Sequence, residues 1–167
     1  MSELLDAAAA RVPASQRTLY KTLREAVSAA EDCGELPHAL IHADFVPANA
    51  IVSTAGKTII VDWTGAGRGP RLWSLAFLLW AAGANDPGRV DFVATGYRRH
   101  VHLEAAELDR LAAAIAARPV IFGCWAFSTG REQLADVVAR LPTVRARAET
   151  IAARAVGTLS AGRTDLS

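Results

Sequence analysis

The stretch that decides the reading is Ile41-His42-Ala43-Asp44-Phe45-Val46-Pro47-Ala48-Asn49, with Ile59-Ile60-Val61-Asp62-Trp63 shortly after it. It has the form His-x-Asp-x-x-x-x-Asn on a loop, then an apolar strand that ends in Asp. Between the two, Ala50-Ile51-Val52 and Thr58-Ile59-Ile60-Val61 are rich in strand formers and flank a short segment containing Gly56, so a β-hairpin is predicted. Asn49 precedes its first strand and Asp62 follows its second, which brings both to one end. Phosphoryl transfer needs this kind of set, because it depends on positioning and charge neutralisation more than on covalent work by the protein. Asp44 can orient an acceptor hydroxyl and take its proton. Asn49 and Asp62 offer Mg²⁺ the hard oxygens it prefers, alongside phosphate and water. Val46-Pro47 stiffens the loop between them, since proline fixes its own φ and restricts the residue before it. His42 is the other candidate catalytic residue, and its expected work is to brace the loop by a hydrogen bond. Taken singly, an Asp or Asn here would be read as a turn former and the His as a satisfied core group. The spacing of all four carries the functional reading.

Outward from the loop, the pattern is helical. Leu4 to Arg11 reads as a short Ala-rich helix, and Ser15 to Glu31 has Leu19, Leu23, Ala26, Val27 and Ala30 on one face, ended by Gly34 and Pro37. Ala39-Leu40-Ile41 is a short strand leading into the loop. Gly65 to Pro70 reads as a loop, and its Gly-x-Gly-x-Gly lacks the spacing and position of a phosphate cradle. Leu72 to Gly83 is apolar nearly all round and should be central. Asp86-Pro87 opens a helix through Arg99. Glu104 to Arg118 is a helix that Pro119 is expected to kink or break, with Val120 to Phe127 beyond it. Thr129 and Glu132 have capping-box spacing ahead of a helix to Arg140, and Pro142 restarts a last helix through Leu159. Glu104, Glu107 and Asp109 could face a cationic substrate or simply form a solvated helix start. Trp63, Trp73, Trp80 and Trp125 read as core anchors, with Trp63 placed to wall the site.

The chain has 167 residues, 51% of them apolar, and a formal net charge of +1. That suits one domain with a real core and excludes disorder. No basic cluster points to nucleic acid, and the longest apolar run, Leu75 to Ala84, is too short to span a bilayer. Cys33 and Cys124 have no metal-type spacing, and the N-terminus lacks a signal pattern, so a reduced, cytoplasmic protein is expected. The organisation expected is one unit over residues 1–159 and a flexible tail over 160–167.

The segment His42 to Ala76 resembles the aminoglycoside phosphotransferase and choline kinase family, which shares the protein-kinase fold. The matching pieces are His42-Ala43-Asp44 with Pro47 and Asn49, then Val61-Asp62-Trp63, then Gly65 to Pro70 before an apolar helix. The resemblance implies an α+β, mostly helical fold, a kinase-like C-terminal lobe in which a small hairpin carries the catalytic loop. It implies Asp44 as catalytic base, Asn49 and Asp62 as magnesium ligands, and Mg²⁺ with ATP as co-substrate. The implied function is ATP-dependent transfer of a phosphoryl group to the hydroxyl of a small molecule. The alternative is a C-lobe remnant acting as a binding or interaction module. Two departures stand out. Ser74 occupies a position where the family has an Asp that braces the catalytic loop. Residues ahead of His42 read as helices, so the family's N-terminal β lobe, with its phosphate-pairing lysine, is expected to be absent. An N-lobe partner or a homodimer is then expected to cover the exposed face.

Overall fold

The computed structural model describes residues 2–9, 12–32, 35–84 and 86–161. Cys33, Gly34, Arg11 and the tail residues 162–167 lie outside them. Among the described residues the chain forms α1 (Ser2–Ala9), α2 (Arg17–Glu31), β1 (His38–Ile41), β2 (Ala50–Val52), β3 (Thr58–Ile60), β4 (Gly67–Pro70), α3 (Leu72–Gly83), α4 (Gly88–Arg98), α5 (Ala105–Ser128) and α6 (Leu134–Ser160).

The hairpin is present, with Ala50 opposite Ile60 and Val52 opposite Thr58. The loop expected over Gly65 to Pro70 is in part a strand. β4 pairs antiparallel with β1, placing Ile41 opposite Gly67 and Ala39 opposite Gly69. Glycine content hid it, because Gly weakens a strand reading. The missing side chain leaves room for the neighbouring strand: a Cβ on Gly69 would stand 2.8 Å from Ile41 Cδ1, which would have to move aside.

Helix ends also differ from expectation. α5 runs unbroken through Pro119 and α6 through Pro142. A mid-helix proline costs about 3 kcal/mol, and packing of α5 against α1, α2, α3 and α6 offsets it. Thr129 caps the C-terminus of α5 instead of opening α6, its hydroxyl donating to the Trp125 carbonyl at 2.8 Å. The capping box lies at the other end of α5, between Glu104 and Glu107. α4 begins at Gly88, one residue after the expected proline, and the Asp86 carboxylate accepts its N–H at 2.9 Å.

The main core joins α3, α4, α5 and α6 through Leu72, Leu75, Leu79, Val90, Leu111 and Ile151. A second core holds α1 and α2 against α5 and α6 through Leu5, Leu23, Val27, Val120 and Leu141. α3 is buried as its uniform apolarity implied. α5 is long and apolar enough to cross a membrane by length and composition alone, yet here it is the helix around which α1, α2, α3 and α6 pack. Close packing at the α3 end gives a direct expectation. A Cβ on Gly83 would lie 2.9 Å from Val90 Cγ2 and 3.1 Å from Ile151 Cδ1. Gly83→Ala is therefore expected to destabilise the fold by about 1–3 kcal/mol despite alanine's better helix propensity, as read by urea denaturation.

Candidate active site

β1 delivers the chain to the loop and α3 holds the loop's start. The His42 N–H donates to Ser74 Oγ at 3.2 Å. Ser74 is on the first turn of α3, so a hydroxyl makes a brace from below at that position. The His42 ring is 4% exposed and uses both nitrogens. Nδ1 accepts the Asp44 N–H at 3.1 Å, which puts the ring proton on Nε2, and Nε2 donates to the Val61 carbonyl at 2.9 Å. His42 thus ties the segment around Asp44 to the residue that follows β3. Its ring lies edge-on to Trp63, centroids 4.9 Å apart, and near Phe45.

Asn49 closes the loop from the other side. Its Nδ2 donates to the Asp44 carbonyl at 2.9 Å, a bond that does not use Oδ1. Its own carbonyl accepts the Val61 N–H at 2.9 Å, so pairing continues one step beyond the hairpin. Asn49 and Asp62 are therefore at the same end, as the hairpin topology required. Asp62 is exposed and has φ +60°, the one described non-glycine residue in the left-handed region. Asp tolerates that region better than most residues, but it still costs on the order of 1 kcal/mol and is characteristic of functional turns. Trp63 fixes the turn by donating Nε1–H to the Ile60 carbonyl at 2.9 Å. It is half-exposed beside the site, and Trp125 is similarly exposed, so neither is a core anchor; Trp73 and Trp80 pack against the core.

The carboxylate of Asp44 carries a partner that sequence reasoning missed. Arg118, 74 residues away on α5, donates to Asp44 Oδ1 from Nη2 at 2.7 Å and from Nε at 3.0 Å. Both bonds fall on one oxygen, and Oδ2 takes neither. The signal available was a single cation in the otherwise apolar run from Leu111 to Phe127. Of the acidic residues near the start of α5, Glu104 and Asp109 are exposed and Glu107 is not. Glu107 is fully buried and forks onto Arg71, whose Nε and Nη2 lie 2.9 and 2.7 Å from its two oxygens. That hydrogen bonding holds the Arg71 guanidinium above its ordinary range.

The donor set fits a hard divalent cation in its chemistry, pairing a carboxylate with an amide oxygen at the end of one rigid hairpin. Among the described residues no group of three or more His, Cys, Asp or Glu side chains could hold a metal, so a cation here would need oxygens beyond the Asp62 carboxylate and the Asn49 amide.

A family model described as phosphotransferase enzyme family matches residues 2–113. The chain belongs to that family. Two solved structures are similar in fold. One is a choline/ethanolamine kinase family protein from Mesorhizobium loti, with TM-score 0.52 and 21% identity over 90% of this chain and 53% of that one. The other is amicoumacin kinase hAmiN in complex with AMP-PNP, Ca²⁺ and Ami, with TM-score 0.57 and 18% identity over 83% of this chain and 46% of that one. No curated protein matches the sequence significantly. The chain spans about half the length of these structures. Its mostly helical architecture with two small sheets is part of a kinase-like fold.

Proposed function

We propose that this chain supplies the catalytic-loop half of an ATP- and Mg²⁺-dependent phosphotransferase acting on the hydroxyl of a small molecule. The observation that carries the reading is the hydrogen-bonded frame around residues 42–62: His42 links Asp44 to Val61, and Asn49 links Asp44 to the same strand end. In that frame the Asp44 oxygen not bound by Arg118 faces the acceptor hydroxyl. As the acceptor oxygen bonds to the γ-phosphorus, the bond to the bridging oxygen breaks, ADP leaves, and the hydroxyl proton passes to Asp44. Asn49 and Asp62 would hold the Mg²⁺, which supplies charge neutralisation on the triphosphate.

A β-rich lobe from a partner would complete the nucleotide site, whereas a second copy of this chain in a homodimer would only cover the exposed face. Leu40, Ile51, Val52, Ile59 and Trp63 support it, being large apolar side chains left exposed on the sheets and beside the loop. A non-catalytic binding module is the second reading, and the ion pair on Asp44 is the observation in its favour.

Calorimetry with Mg·AMP-PNP separates them. The phosphotransferase reading expects binding that weakens at least about tenfold in Asp62→Asn, a loss of about 1.4 kcal/mol. Absence of heat in the wild-type chain, alone and with a β-rich lobe of the family added, supports the binding module.

A further inference from the structure

We propose that the groove between α3, α5 and α6 holds the acceptor, and that this acceptor has a flat apolar body and a negatively charged group. The inference rests on the reading of Asp44 as the residue that meets the acceptor hydroxyl. Arg118 joins the two places. Its guanidinium binds Asp44 on one side and lies over the Phe122 ring at 4.7 Å on the other, and both Arg118 and Phe122 line the groove.

The groove encloses about 450 Å³, enough for a small molecule. Trp80, Phe122 and Trp125 give it flat apolar faces, on which a planar ligand stacks. Its charge is cationic. Arg131 lies over Trp125 at 4.2 Å and Arg147 over Trp80 at 5.4 Å, each against a lining ring without itself lining the groove. Arg140 is at the wall, paired with Glu132. Two lining guanidinium groups, Arg118 and Arg140, and two more set against the lining rings thus stand against the carboxylates of Asp44 and Glu132. A polycationic acceptor would meet like charge here, whereas a carboxylate or phosphate matches an arginine fork. Arg118 uses two of its five N–H donors on Asp44, leaving others for such a group. Residues 118 to 147 lie beyond the segment matched to the family, so nothing in that match sets this preference.

The test uses the full chain without nucleotide and two probes that share a phenol ring, 4-hydroxyphenylacetate and its cationic counterpart tyramine. In NMR titrations the anion is expected to shift the indole N–H signals of Trp80 and Trp125 and the Arg118 Nε–H, and to bind at least about tenfold more tightly than the cation. Arg118→Met is expected to bring the two affinities within about threefold of each other. Should that variant fail to fold, Arg131→Gln with Arg147→Gln is expected to narrow the gap in the same direction. Equal or tighter binding of tyramine, shifts confined to other parts of the chain, or no binding of either probe at about 10 mM would overturn the proposal. Mg·AMP-PNP binding together with a preference for tyramine would sink this inference alone. A preference for the anion without nucleotide binding would support the groove's ligand class while removing the phosphotransfer reading.

Discussion

Arg71→Ala is expected to remove about 3–5 kcal/mol of folding stability, the largest loss of any single surface-reaching side chain in this molecule. The reason is what stays behind. Glu107 is fully buried at the start of α5, where its carboxylate accepts from Arg71 twice and from the Glu104 N–H at 2.8 Å. Without Arg71 it keeps one neutral donor and no countercharge. Arg71 is also tied by its own N–H to the Pro37 carbonyl at 2.9 Å and by Nη2 to the His102 carbonyl at 3.0 Å. One residue therefore joins the β1–β4 sheet, through its backbone, to the start of α5, through its side chain. Arg71→Lys should recover only part of the loss, because a single ammonium cannot fork across two oxygens. Glu107→Gln should cost less than Arg71→Ala, since the remaining guanidinium is partly exposed to water. Shifts of the urea midpoint at constant slope measure all three. A loss under about 1 kcal/mol for Arg71→Ala would mean the pair behaves like an exposed one.

The second large effect concerns chemistry. Asp44→Asn is expected to lower phosphoryl-transfer turnover by about 10²–10⁴-fold while nucleotide affinity changes little. Asparagine keeps an oxygen that can accept from Arg118, so the loop's geometry is preserved and only the proton acceptor is lost. Asp62→Asn is expected to fail at the earlier step, by losing the nucleotide. Single-turnover assays beside equilibrium binding distinguish the two variants. Equal turnover in Asp44→Asn and wild type would remove Asp44 from the proton transfer.

Much of the site was legible because its geometry follows from local pairing. Once the two strands are accepted, their register places Asn49 beside Val61, and no distant contact is needed to bring Asp62 to the same end. The bracing His42 was readable for the same reason. Arg118 was not, because nothing local links residue 118 to residue 44; the packing of α5 against the rest of the bundle makes that contact. The strand at Gly67–Pro70 was hidden by its two glycines, of which Gly69 lies close against Ile41. The breaks expected at Pro119 and Pro142 failed for a third reason. A local proline penalty of about 3 kcal/mol is small beside the packing of a 24-residue and a 27-residue helix. Glu107 looked like one of several acids on a solvated helix start, and only its position under Arg71 shows it to be a buried structural charge.

On the function proposed here, Asn49 and Asp62, with Asp44 beside them, share one divalent cation carrying a nucleotide's phosphates. Mn²⁺ added with AMP-PNP to the isotope-labelled chain tests it most directly, since a paramagnetic ion broadens the amide signals nearest to it. Broadening centred on Asp44, Asn49, Asp62 and Trp63, and abolished by Asp62→Asn, is the result expected. Broadening centred elsewhere, or unchanged in that variant, would contradict it.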